Sequence, residues 1–223
     1  MWPLGTDPIP RSAPGLYSPI EWEVKGRRSL AVSDGGALAS MATTLDTRHS
    51  HRTFAPVPEA LLGALLWHTA RTKEAARSPL GFQIEHRPTP SAGAIHPIHL
   101  VIQLTDEESW ARYNPQNHSL DLLAKDDSLF QPLVDCSEQV VPRGGGHLIL
   151  FVAEPGKTAA KYENPESLIW RDAGVLQGSL ALVAAALGLN YCLLGITGNP
   201  WVAQLSDQGK LQGVGVAILG AKP

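Results

Sequence analysis

Cysteine is almost missing from this sequence: Cys136 and Cys192 stand far apart, in no CxxC or zinc spacing. That argues against a disulfide framework and a structural metal site, and makes a reducing cytoplasm the expected setting. Basic runs are missing too. The longest is the Arg27-Arg28 pair, and 18 Lys and Arg against 21 Asp and Glu leave a net charge of -3, so nucleic-acid binding by phosphate neutralisation has no support. No apolar run is clean enough for a membrane span. The stretch from Gly174 to Ile196 approaches one, yet Gln177, Ser179 and Asn190 interrupt it and Gly188 breaks its helical character, so a buried helix is expected. The first ten residues hold three prolines and no apolar h-region, so no secretory signal is expected. Charge is thin overall, 17% against 43% hydrophobic residues. That balance suits a globular protein part of whose surface is an interface.

What is there reads as one domain behind an arm. Residues 1–44 are rich in Pro, Gly and Ser without a sustained period, and are expected to be an irregular N-terminal arm before a domain over 45–223. Leu61, Leu62, Leu65, Leu66 and Ala70 recur at helical spacing after Pro58-Glu59, predicting an amphipathic helix from Val57 to Lys73. Ile98 to Leu104, His147 to Ala153 and Val214 to Leu219 are short Val/Ile/Leu-rich runs, the pattern of strands buried on both faces. Asn114-Pro115-Gln116-Asn117 marks a hairpin turn within Trp110 to Leu123. Glu166 to Leu189 is expected as the longest helix, too apolar to stand uncovered. This order predicts an α+β sandwich with a mixed sheet and a long central helix.

Two segments carry possible chemistry. Arg48-His49-Ser50-His51-Arg52 sets two guanidinium groups four residues apart around a hydroxyl. In a helix Arg48 and Arg52 share a face and can grip a phosphate, each charge-assisted bond contributing roughly 1.5–3 kcal/mol. The plainer reading is an exposed basic turn. Pro90-Ser91-Ala92-Gly93-Ala94-Ile95-His96-Pro97 precedes a predicted strand and is made of small residues. Its backbone amides, or the Ser91 hydroxyl, can approach the edge of a flat ring, although a tight loop explains the composition equally well. Neither His49/His51 nor His96/His99 comes with a cysteine or carboxylate at ligand spacing, so no metal is expected.

Taken in order, Arg-x-Ser-x-Arg, Pro-Ser-Ala-Gly-Ala, Arg112-Tyr113-Asn114-Pro115 with His118 and Leu120, Lys161-Tyr162, and Asp172-Ala173-Gly174-Val175-Leu176-Gln177 resemble the SagB-type dehydrogenase branch of the nitroreductase family over about Leu45 to Gly220. The resemblance implies a homodimeric FMN-binding sandwich with two flavins at the subunit interface. It assigns the FMN phosphate and ribityl chain to Arg48, His49, Ser50 and Arg52. The loop Pro90, Ser91, Ala92 and Gly93 would reach the flavin from the partner chain, and Leu194, Gly195 and Ile196, in the turn after the long helix, would border the ring. Many relatives carry a basic pair past the last strand, where this chain offers Lys222 alone.

Lys161-Tyr162 resembles the pair used by dehydrogenases that oxidise azoline rings of a ribosomally made precursor peptide to azoles, working beside a cyclodehydrase. Such a reaction needs a base for the ring C–H and a hydride acceptor, and oxidised flavin supplies the second. Two alternatives stand: an NAD(P)H-dependent reductase of nitroaromatics, quinones or enones, and a partner protein that kept the fold without the flavin.

Overall fold

The computed structural model describes residues 6–32, 38–105, 109–125, 127–206 and 211–223. In chain order the elements are β1 (Ile9–Pro10), β2 (Val24–Ser29), α1 (Met41–Thr47), α2 (Glu59–Ala70), β3 (Glu74–Ala76), β4 (Ile84–His86), β5 (Ile98–Leu104), β6 (Ser109–Asn114) and β7 (Ser119–Leu123). They continue with α3 (Gln131–Val140), β8 (His147–Ala153), α4 (Pro155–Ala159), β9 (Tyr162–Glu163), α5 (Glu166–Ala186), β10 (Asn190–Leu194) and β11 (Gln212–Gly220).

Seven strands form the main sheet in the order β10-β11-β8-β5-β6-β7-β2. Strand β8 shows why it is buried on both faces. Ile149, Phe151 and Ala153 pack into one core with α2 and α5, whereas Leu148, Leu150 and Val152 pack into a second core with Phe130, Leu133 and Val134 beside α3. Alternate residues of a strand point to opposite faces, so a run apolar at every position requires cover on both sides. The result is the α+β sandwich with a long helix expected from the sequence.

The sheet, expected to be mixed, is joined by antiparallel pairs at every described neighbour. The reason lies in the crossover through α5. It returns β10 in the direction of β8, but β11 inserts between the two and runs against both.

Helix α5 begins after Pro165 with Glu166 in its first turn, and ends where Gly188 takes a φ of 72°. There the Gly188 and Leu189 N–H groups donate back to the Ala185 and Ala184 carbonyls, the glycine-terminated helix end that only a residue without a Cβ adopts freely. Among the described residues no helix is long and apolar enough to cross a membrane.

The stretch expected to be an irregular arm is partly ordered into the domain. Val24–Ser29 is the edge strand beside β7, and Ser40 caps α1 by accepting from the Thr43 N–H. Further forward, Pro10 pairs with Tyr162, the Arg11 N–H donates to the Lys161 carbonyl, and the Gly15 N–H donates to the Ala160 carbonyl. Backbone pairing of this kind needs no apolar period, which is why composition concealed it.

Candidate functional site

The Arg48-to-Arg52 segment is not helical. Helix α1 stops at Thr47, and Arg48 is already extended at φ -63° and ψ 126°. The segment instead runs along the end of β10, with the His51 N–H donating to the Tyr191 carbonyl and Asn190 Nδ2 donating to the Thr53 carbonyl. The helical face that Arg48 and Arg52 were expected to share is therefore absent.

The C-terminus meets this segment through the reciprocal backbone bonds between Ala55 and Ala221. Lys222 is then close enough to act on His51, whose pKa is lowered first by burial, then by His49 and Lys222. Arg52 faces Cys192 in the same way, its charge opposing the upward push of burial on that thiol. The His49 and His51 rings lie 3.8 Å apart, and Arg48, His49, Ser50 and Arg52 are exposed. Lys222 and Arg52 thus both lie along β10 and its neighbouring segment, with the exposed Arg48 four residues before Arg52.

The second group assembles at the opposite half of α5. The Ser91 hydroxyl donates to Asp172 Oδ2 at 2.5 Å, the Ala92 N–H donates to Asp172 Oδ1 at 3.1 Å, and the His96 N–H donates to Ser91 Oγ at 2.9 Å. Burial raises the Asp172 pKa against the pull of Ser91 and Ala92. The Ser91 hydroxyl and Ala92 amide, read from the sequence as groups that could face a ring, are therefore engaged in fixing the loop to the helix. Gly93 follows at a φ of 64°. A Cβ on it would stand 2.7 Å from Lys161 Nζ and 3.1 Å from the Tyr162 hydroxyl, so the loop and the Lys-Tyr pair, 68 positions apart in sequence counted from Gly93 to Lys161 (161 minus 93), are one surface.

The third expected element sits elsewhere than its motif suggested. Leu194, Gly195 and Ile196 are not in the turn that ends α5, because the whole of β10 intervenes. Leu194 closes that strand opposite Val216, Gly195 is exposed, and Ile196 packs on the second core. Near the start of α5 a hollow of about 340 Å³ opens between Ile169, the half-exposed Trp170, Asn199 and Gly213.

The two groups attach towards opposite ends of α5. Asp172, near its start, holds the Gly93 loop, whereas Asn190 and Tyr191, just past its end, hold the Arg48 segment, and from Asp172 to Ala186 the helix rises by about 1.5 Å per residue, or roughly 20 Å. Sequence reasoning missed Asp172 as the anchor, although it named the motif containing it. It also missed a network in which Glu154 and Lys157 are buried and His99 and Arg112 half-buried, since these residues are scattered over β5, β6, α4 and the junction between β8 and α4. Among the described residues no cluster of three His, Cys, Asp or Glu is placed to hold a metal.

Residues 45–212 match the family model described as the nitroreductase family. Among solved structures, a protein of Ralstonia eutropha described as a nitroreductase superposes with a TM-score of 0.68 at 20% identity, covering 98% of this chain and 99% of its own. A chain of the Escherichia coli microcin synthetase McbBCD complex, with truncated pro-MccB17 bound, gives 0.58 at 16% identity over 92% and 79%. A protein of Clostridium acetobutylicum described as an NADH oxidase gives 0.51 at 15% identity over 81% and 87%. No curated protein matches the sequence.

Proposed function

Because the chain belongs to the nitroreductase family of oxidoreductases, we propose that it is an FMN-dependent dehydrogenase that oxidises thiazoline or oxazoline rings of a ribosomally made peptide to azoles. It acts as a homodimer beside a cyclodehydrase. One protomer holds the FMN phosphate and ribityl chain through Arg48, His49, Ser50, Arg52 and Lys222, and the partner subunit's Pro90-to-Gly93 loop covers the ring, with Leu194, Gly195 and Ile196 at its border. The cations carried by this segment and by Lys222 suit a phosphate dianion, and they favour a flavin-binding protein over a flavin-free partner.

The observation that carries the reading is the contact of Gly93 with Lys161 and Tyr162. A loop expected at a flavin ring thereby brings with it an amine and a phenol, the groups an azoline oxidation needs and a simple reductase does not. Bound FMN would supply the two-electron acceptor. Lys161 Nζ takes the proton from the ring carbon, the Tyr162 hydroxyl hydrogen-bonds the azoline heteroatom, and the pairing of Pro10 with Tyr162 and of Arg11 with Lys161 holds both in place. The likeness to a chain of the McbBCD complex is consistent with this reading. A simple NAD(P)H-dependent reductase is the second reading, favoured by the higher TM-score of the Ralstonia protein.

Lys161→Ala and Tyr162→Phe separate the two. Both variants should keep their yellow colour and their reduction by NAD(P)H or dithionite, while turnover of a thiazoline peptide falls by about 10²–10⁴-fold, the usual worth of general base catalysis. Wild-type flavin bleached by NAD(P)H but by no azoline would give the reductase reading first place.

A further inference from the structure

The Arg112-Tyr113-Asn114-Pro115 motif takes no part in the site above. Arg112 lies instead with Trp22, Arg87 and Lys157 on the wall of a cavity of about 270 Å³, whose apolar side is given by Phe82 and Pro115. Small-molecule pockets run from about 300 Å³ upwards, so an occupant here is small.

The carboxylates around this cavity are already supplied with donors. Glu154 Oε1 accepts from the Tyr17 hydroxyl at 2.9 Å and the Ile20 N–H at 2.7 Å, and its Oε2 lies 2.8 Å from His99 Nε2. Glu85 accepts from Arg87, Thr72 and Gln116, and Asp121 accepts from Arg27, Arg112 and Asn114. The surplus is on the donor side. Trp22 Nε1 and Arg112 Nε are both buried and have no acceptor among the described residues, and the Arg112 guanidinium lies 5.2 Å from the Trp22 ring. Lys157 Nζ donates once, to the His96 carbonyl at 3.2 Å, and has N–H groups to spare. Buried donors are costly without acceptors, and two of them, beside an amine only partly used, on residues of one cavity wall call for an occupant that brings acceptor oxygens. Glu85 and Glu154 on the same wall disfavour a dianion.

We propose that this cavity is a second ligand site, distinct from the flavin site, for a small organic acid whose carboxylate meets Arg112, Trp22 and Lys157 while its flat apolar part lies along Phe82 and Pro115. Lys157 gives the site a pH dependence. It faces Arg87, Glu85, Glu154, Arg112, His99 and the His96 ring, and burial followed by Arg87 pulls its pKa down to about 8. A bound carboxylate restores the charged amine, so affinity should decline as the pH rises above about 8.

Calorimetric titration with benzoate, and with benzamide as the uncharged isostere, tests the site in the purified protein. Benzoate should bind and benzamide should not. Trp22→Phe removes one N–H and keeps the ring, Lys157→Met removes a buried charge and keeps the volume, and each should weaken benzoate about ten- to hundredfold while the visible flavin spectrum and thermal melt stay as in wild type. Absence of benzoate binding at millimolar concentration, equal binding of benzamide, or benzoate binding that shifts the flavin spectrum and ignores both variants would each overturn the proposal.

Discussion

Gly93 occupies left-handed backbone space with Lys161 and Tyr162 pressed against its missing side chain. Gly93→Ala should therefore act twice. Left-handed backbone disfavours a Cβ by about 1–2 kcal/mol, and the new methyl displaces the Lys161 amine. Turnover of an azoline peptide should fall while FMN retention changes little, a split that separate flavin release and kinetic assays can read. The phosphate half makes the converse prediction: Arg48→Ala with Arg52→Ala should weaken FMN retention about ten- to hundredfold, and undiminished retention would sink that assignment. At this scale residue type suggests the chemistry, as with the paired arginines and Lys161-Tyr162. It gave no sign that the Ser91 hydroxyl is bound to Asp172 on α5, 81 positions away, a contact no local pattern can announce.

Element by element, the strands and helices whose period matches their burial were legible. The α2, β5, β8 and α5 segments and the β6–β7 hairpin lie where their apolar spacing put them. What escaped was held by backbone pairing. Strand β2 at the sheet edge is mostly exposed, and β1 pairs for two residues only, so neither carries an apolar signal. The distinction has a functional consequence, because β1 and the residue after it brace the Lys161-Tyr162 backbone. Arg11→Pro removes the N–H that donates to the Lys161 carbonyl, a bond with a net contribution of about 0.5–1.5 kcal/mol. It should lower azoline turnover more than it lowers the melting temperature, and the reverse outcome would assign the arm to stability alone.

For the whole molecule, burial sets an acid limit. Desolvation is the leading cause that holds His96 down to about 3 and His99 down to about 4. Both stay neutral in the folded chain while the unfolded chain protonates them below about 6.5. Between about pH 6.5 and 4 the unfolded state therefore binds more protons, so stability drops as the pH falls through that window. Thermal melts at pH 7 and pH 5 should differ by a few degrees or more, and equal melting temperatures would mean these rings are accessible to water. Association is the other property of the whole molecule. The exposed apolar Trp170 and Val175 on α5, with Met41 and Leu45 on α1, are the surface a homodimer would cover.

The central claim is that each flavin site takes its phosphate grip from one chain and its Gly93, Lys161 and Tyr162 surface from the other. Mixing two inactive variants tests it most directly. One carries Arg48→Ala with Arg52→Ala, the other Lys161→Ala with Tyr162→Phe, and they are unfolded together, refolded with FMN and assayed with a thiazoline peptide. A mixed dimer then has one site with both substitutions and one site with neither, so random pairing should restore about a quarter of wild-type turnover. A mixture as inactive as its components would place both halves of the site in a single chain and contradict the account.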